Sequence, residues 1–172
     1  MLNLINKIKK RFLPIYYSFF FEIGRGCLFG NISFAGKEKN SIKIGNNVTI
    51  FRYTELCGKK NLPIIIGDGT FINQQCVIRP NIKIGRHVSI GPGVMLLSDS
   101  HEIGPSEMRA GKSIYPPIHI GDGCWIGANS TIIGNVKVGK GTIIGAGSLV
   151  NKNCEPDSLY AGVPARFIKK LK

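Results

Sequence analysis

Acidic residues are scarce in this chain. Ten Asp and Glu stand against 23 Lys and Arg among 172 residues, a formal net charge of +13. Such a surface repels cationic partners and favours anionic ones: a phosphorylated cofactor, an acidic glycan or a membrane surface. Nucleic acid fits poorly, because the basic residues are not interleaved with aromatics on a recognisable module. The five cysteines form no Cys-x-x-Cys pair, which excludes the usual zinc and disulfide frames and leaves free thiols in a reducing compartment. No apolar run is long enough for a bilayer; the longest, from Phe12 to Phe21, is about ten residues. The basic start before it lacks the small-x-small site of a cleaved leader. No nucleotide-binding Rossmann pattern appears either.

What the chain does have is glycine, 22 residues of it, and a strict period. Every sixth residue is aliphatic through Ile66, Ile72, Ile78, Ile84, Ile90 and Leu96, and again through Ile120, Ile126, Ile132, Val138, Ile144 and Val150. Four places after each comes a small or β-branched residue, among them Thr70, Cys76, Val88, Val94, Ser100, Cys124, Ser130, Thr142, Ser148 and Cys154. Gly follows many of the aliphatics directly, as at Gly67, Gly91 and Gly127. The period is neither the 3.6 of a helix nor the 2 of a simple strand. It is the hexapeptide signature of a parallel β-helix, in which three hexapeptides make one triangular coil of about 18 residues. No coil buries its apolar side alone, so the coils must stack.

Residues 1–22 read as a separate amphipathic, helical segment. Leu4, Ile5, Ile8, Phe12, Ile15, Tyr16, Phe19 and Phe20 recur at roughly helical spacing beside Lys7, Lys9, Lys10 and Arg11. It either caps the open end of the prism or lies on an anionic membrane surface. The β-helix is expected over 23–155, with a ragged first coil over 23–43 and a four-residue slip around Lys59-Lys60-Asn61. An excursion over about 100–117 carries Pro105, Gly111, Pro116 and Pro117 and is expected to contain no strand. Residues 156–172 read as a basic C-terminal tail.

Three local motifs accompany the repeat: Phe71-Ile72-Asn73, Ser98-Asp99-Ser100-His101 before the excursion, and Ala161-Gly162-Val163-Pro164-Ala165-Arg166 near the end. With them the chain resembles the left-handed β-helix, or hexapeptide-repeat, acetyltransferases, most closely the galactoside, maltose and polysaccharide O-acetyltransferase branch. The resemblance covers residues 44–169 and implies an all-β, left-handed parallel β-helix, since the period alone does not set the hand. It also implies acetyl-CoA as co-substrate, a sugar or surface-polysaccharide acceptor, a homotrimer with active sites between subunits, and no metal. The expected location is the cytoplasm, with peripheral contact at the inner membrane through residues 1–22.

The resemblance makes His101 the catalytic base, and the chemistry asks for one: an alcohol attacks a thioester well only as its proton is removed. Asp99 and Glu102 flank His101 and are candidates to orient it. Asn73 matches the acceptor-positioning asparagine. Ala128, Ala146 and Gly147 match the small residues along the pantetheine arm, and Trp125 walls that site. Lys152, Arg166 and Lys169 match the cations that meet the phosphates. His87 and His119 read as surface residues. N-acetylation of an amino sugar, O-acetylation of a small metabolite, and a metal hydratase like the γ-class carbonic anhydrases, with three histidines on zinc, stand as alternatives.

Overall fold

The computed structural model describes residues 15–35 and 38–172. Short strands of two or three residues build three flat faces of a triangular prism. The first face runs Glu22–Ile23, Ile42–Ile44, Ile64–Ile66, Ile82–Ile84, Ile118–Ile120 and Val136–Val138. The second begins with Leu28–Phe29, Thr49–Ile50, Phe71–Ile72, Ser89–Ile90, Trp125–Ile126 and Ile143–Ile144. The third holds Ser33–Phe34, Glu55–Leu56, Val77–Ile78, Met95–Leu97, Thr131–Ile133 and Leu149–Val150. Pairing along each face is parallel, and the period of one coil shows in the register: Ile64 pairs with Ile82, Phe71 with Ser89 and Val77 with Met95.

Alternation within the short strands sends one set of aliphatics inward. Ile50, Ile72, Ile90, Ile126 and Ile144 form one buried column, and Leu56, Ile78, Leu96, Ile132 and Val150 another. Each corner needs one residue in the left-handed backbone region. Gly93 and Gly147 supply it at φ near +67°, and Asn129 at 56°, residues for which that region costs least.

The small corner residues bond from coil to coil. Thr70 Oγ1 donates to the Gly85 carbonyl at 2.9 Å, Ser130 Oγ to Gly145 at 2.9 Å, and Thr142 Oγ1 to Glu155 at 2.7 Å. Thiols do the same at other coils: Cys27 to Gly45 at 3.2 Å, Cys76 to Gly91 at 3.3 Å and Cys124 to Gly139 at 3.0 Å. The alternation of Ser, Thr and Cys at this position is thus one structural role, a compact donor beneath a turn carbonyl.

Three departures from the period have visible causes. The slip near Lys59 is a small loop closed by an antiparallel bridge between Lys59 and Leu62, so that Ile42 pairs with Ile64 rather than with a residue 18 positions on. The excursion, expected to hold no strand, is instead an antiparallel hairpin of Ser100–Ile103 and Ala110–Ile114. Its prolines lie outside both strands, so they do not interrupt the pairing. Ser100, counted by the period as a corner residue, is exposed on this hairpin, and Ser98 is buried in its place. Finally, the basic terminal segment is ordered: Ser158–Gly162 joins the second face beside Ile143–Ile144, and Ala165–Lys170 folds back on it.

At the other end a helical turn at residues 15–18 leads into Tyr17, Phe20 and Phe21, which pack against the first coil. Tyr17 and Phe21 meet Phe34 at ring-centroid distances of 4.3 and 4.7 Å. These rings cover an end that would otherwise expose unpaired coil. Ile15, Tyr16 and Phe19 face outward. The earlier part of the amphipathic segment, residues 1–14, lies outside the described residues.

Two measurements test this account. Ser130→Ala should cost about 1 kcal/mol in denaturant unfolding by removing one coil-to-coil bond, whereas Ser130→Cys, which restores a donor already used at other coils, should recover most of it. Burial pushes the Cys76 and Cys154 thiols from an ordinary 9.0 up to about 11. Their contribution to stability is therefore complete below pH 9 and is lost as pH rises towards 11. The thermal midpoint of a Cys76→Ser, Cys154→Ser variant should fall less steeply than that of the parent across this window.

Candidate functional site

The hairpin leaves the prism at the corner between the third and first faces, and both of its feet are held. Asp99, at the outgoing foot, lies 3.4 Å from Arg79 Nε, and Arg79 reaches Glu55 Oε1 at 3.0 Å. The buried Ser98 hydroxyl donates to the Pro80 carbonyl. At the returning foot Asn81 Nδ2 donates to the Tyr115 carbonyl at 2.7 Å. Lys59, from the four-residue loop, bonds the Tyr115 hydroxyl and sits 3.9 Å from its ring centroid. An excursion of this length held so firmly is a platform.

His101 stands on that platform. It pairs across the hairpin with Ser113, and its side chain is exposed. Among the described residues no side-chain hydrogen bond or ion pair reaches the imidazole. Of its two candidate orienters, Asp99 pairs with Arg79 instead, and Glu102 is exposed and makes no side-chain bond to His101. His87 and His119 are exposed on other parts of the prism, His87 at a left-handed corner and His119 on the first face. Among the described residues no group of three or more His, Cys, Asp or Glu is gathered for a metal ion.

A second constellation occupies the corner between the second and third faces. Asn73, Gly91, Gly127, Gly145 and Ala161 follow one another up five successive coils, the amide of each of the first four bonding the carbonyl that precedes the next one up, at 2.8–3.0 Å. Ala128 and Ala146 lie one residue further along this corner, and the Gly147 amide bonds the Ala128 carbonyl at 2.8 Å. The coils touch here: a Cβ on Gly127 would stand 2.5 Å from the Ala146 nitrogen. Arg166 lies opposite Ala161 in the terminal hairpin and so crowns the row. Trp125 projects from the second face beside it, 57% exposed. The row is therefore a shallow track of small residues with an aromatic wall and a cation at its upper end.

Sequence-predicted residues thus divide into two groups. Asn73, Ala128, Ala146, Gly147, Trp125, Arg166 and Lys169 share the second face, its corner and its hairpin. His101, Asp99 and Glu102 lie at the other edge of the third face, and Lys152, which follows Leu149–Val150, lies at that same edge. One chain does not bring the two groups together. The anchors Arg79, Lys59, Asn81 and Tyr115 escape sequence reading, because each acts across a gap that the period does not report. The one available signal is that Arg79 and Asn81 flank Pro80 immediately before a clean coil.

Comparison with known proteins gives one picture. Residues 63–98 and 117–152 match the family described as Bacterial transferase hexapeptide (six repeats), and the gap between the two matches is where the hairpin leaves the prism. The galactoside O-acetyltransferase of Lactococcus lactis subsp. lactis is 32% identical over 115 residues, 66% of this chain and 55% of that protein. YvoF of Bacillus subtilis is 33% identical over 131 residues, 70% of this chain and 72% of YvoF. The hexapeptide-repeat-containing acetyltransferase VCA0836 of Vibrio cholerae O1 biovar eltor, solved with acetyl coenzyme A, superposes with a TM-score of 0.66 at 30% identity, over 92% of this chain and 75% of that one. The chain spans about half the length of the first curated relatives it matches.

The anchoring of the platform is testable. Arg79→Ala should raise amide exchange across residues 100–114 by about tenfold or more while leaving the coils on either side protected. Uniform loss of protection throughout the prism would show that Arg79 serves the core rather than the hairpin.

Proposed function

The chain belongs to the hexapeptide-repeat acetyltransferase family, and from that premise we propose that it transfers acetyl from acetyl-CoA to a sugar hydroxyl. The observation that carries this reading is the placement of the two constellations on opposite edges of the third face. That face turns a largely apolar column outward, with Val77, Met95, Thr131 and Leu149 in register and Leu97 and Ile133 beside them; Met95 and Ile133 remain 39% and 38% exposed. Another copy covering this face buries it, and a threefold ring then carries the hairpin of one subunit to the small-residue track of the next. The homotrimer is part of this proposal.

The track fits the donor. Parallel coils are about 4.8 Å apart, so the four steps from Asn73 to Ala161 span about 19 Å, suited to an extended pantetheine arm. Small residues let the arm approach backbone amides and carbonyls, and Arg166 with Lys169 offers cations to the phosphates at the upper end. Lys152 joins them from a neighbouring subunit. The acetyl group then lies near Asn73, whose amide positions the acceptor.

In the reaction His101 takes the proton of the acceptor hydroxyl while the oxygen attacks the thioester carbonyl. The carbon–sulfur bond breaks, the ester forms, and the proton on the imidazole passes to the departing thiolate. A histidine suits this exchange because its imidazole can both accept a proton and give it up again. Among the described residues nothing bonds its ring nitrogens, which leaves it open to orientation by the neighbouring subunit or by substrate.

The acceptor we propose is a bacterial surface polysaccharide or its precursor, and the site of action the cytoplasmic side of an anionic membrane. The net charge supports this. So does the first face, where Lys83, His119 and Lys137 follow one another in one outward column above Ile65 and the Glu22-paired Lys43, and the segment before it, with exposed Ile15, Tyr16 and Phe19. Among the described residues no helix is long and apolar enough to cross a membrane.

His101→Ala should lower transfer by about two orders of magnitude or more while CoA binding persists, and Arg166→Ala should weaken CoA binding. Mixing the two variants after dissociation and reassembly decides whether the site is shared. Random trimers pair an intact hairpin with an intact track at about a quarter of their interfaces, so activity should return to about that fraction. No recovery in reassembled trimers would place the whole site within one subunit.

A further inference from the structure

We infer that Phe51, Arg52 and Tyr53 form a carbohydrate-binding shelf that holds the ring of the acceptor one coil below Asn73. This rests on the donor and acceptor assignment above. If CoA fills the track upward from Asn73 to Arg166, the acceptor enters from below, and the next coil down that same corner carries these three residues. Phe51 directly precedes Asn73 in the outward column, since its amide bonds the carbonyl of Ile72 at 2.9 Å.

The corner changes character at this coil. Higher up, its outward positions hold Gly91, Gly127 and Gly145, whereas here Phe51 is 43% exposed and packs edge-to-face on Phe71 at 5.1 Å. Tyr53 occupies the left-handed corner position, with φ of 61°, which Gln75, Gly93, Asn129 and Gly147 fill in coils above, none of them aromatic. A bulky aromatic there is strained, and such strain points to function when the fold has easier choices. The Tyr53 ring buys the fold little, being 63% exposed. Arg52 lies with its guanidinium 5.7 Å from the Tyr53 ring centroid, and its Nε reaches Gln74 Oε1 at 3.4 Å.

Flat exposed rings beside a guanidinium and two side-chain amides, Asn73 and Gln74, match the two-sided chemistry of a pyranose. The apolar C–H face of the sugar lies on an aromatic ring, and its hydroxyls find polar partners around the rim. A neutral or acidic pyranose suits the shelf better than a basic one, because Arg52 is the charged group within it.

The test uses the full chain with maltose, methyl β-galactoside and N-acetylglucosamine as probes, read by saturation-transfer NMR, and CoA affinity measured separately. The wild type should show contact to the ring protons of at least one sugar, and Phe51→Ala with Tyr53→Ala should reduce it tenfold or more with CoA affinity unchanged. Tyr53→Gly is the sharper variant. Glycine relaxes a left-handed position, so the thermal midpoint should hold or rise while sugar contact falls; Tyr53→Phe should retain contact. Unchanged contact in the double variant, or no contact to any of the three sugars in the wild type, overturns the shelf. Loss of CoA binding by Arg166→Ala stands or falls independently and reports on the donor track alone.

Discussion

A backbone amide that finds its carbonyl in the next coil is the constraint on which this molecule depends. Strands of two or three residues are too short to be stable as ordinary sheet, and each coil leaves its polar backbone groups pointing along the prism axis. Stacking satisfies them, and it does so only if the coils approach closely at the corners. Thr70, Cys76, Cys124, Ser130 and Thr142 each place a compact donor beneath a turn carbonyl. Gly127 leaves room for the Ala146 nitrogen where any side chain would collide. The same closeness makes the corner track a surface on which backbone groups are reachable by a ligand. Fold and proposed binding site draw on one set of small residues.

That shared origin explains what the sequence discloses. The aliphatic series from Ile66 to Val150, shared among the three inner columns, is legible because every member faces the same demand, burial at a fixed interval, and a repeated demand leaves a repeated letter. The corner donors are legible for the same reason, although Ser, Thr and Cys disguise one role as three. His101 stands out in the sequence because it lies where the interval fails. Its anchors are not, because the Arg79–Asp99 and Lys59–Tyr115 contacts join residues 20 and 56 positions apart, across a gap whose size only the folded chain sets. The hairpin strands were hidden similarly. Ser100–Ile103 and Ala110–Ile114 satisfy each other, so neither carries the six-residue imprint of the prism, and the neighbouring prolines draw attention away from them.

The break in the repeat is also where the protein gains the freedom that a solenoid lacks. Within the coils every outward position has neighbours above and below, and a change in one rung is felt by two others. The hairpin has no such neighbours. It needs only its two feet, Asp99 held by Arg79 and Tyr115 held by Asn81 and Lys59. A side chain carried there can be aimed beyond the prism's own surface without disturbing the core, at the cost of a return to the first face at Ile118, which again pairs in register with Ile82.

This arrangement makes a site between subunits more economical than one within a chain. A flat face is the widest separation that a triangular prism offers, and the hairpin and the small-residue track lie at its two edges. Bending the hairpin back across Met95, Leu97 and Ile133 would bury that apolar column, but it would also cover the track's open side. In the proposed trimer a second copy buries the same column while leaving the track open along its length and supplying a hairpin from the adjoining edge. In that trimer the exposed, largely apolar column and the imidazole, unpartnered among the described residues, are two signs of one missing contact, and the surface that completes the core's outer wall completes the proposed chemistry as well.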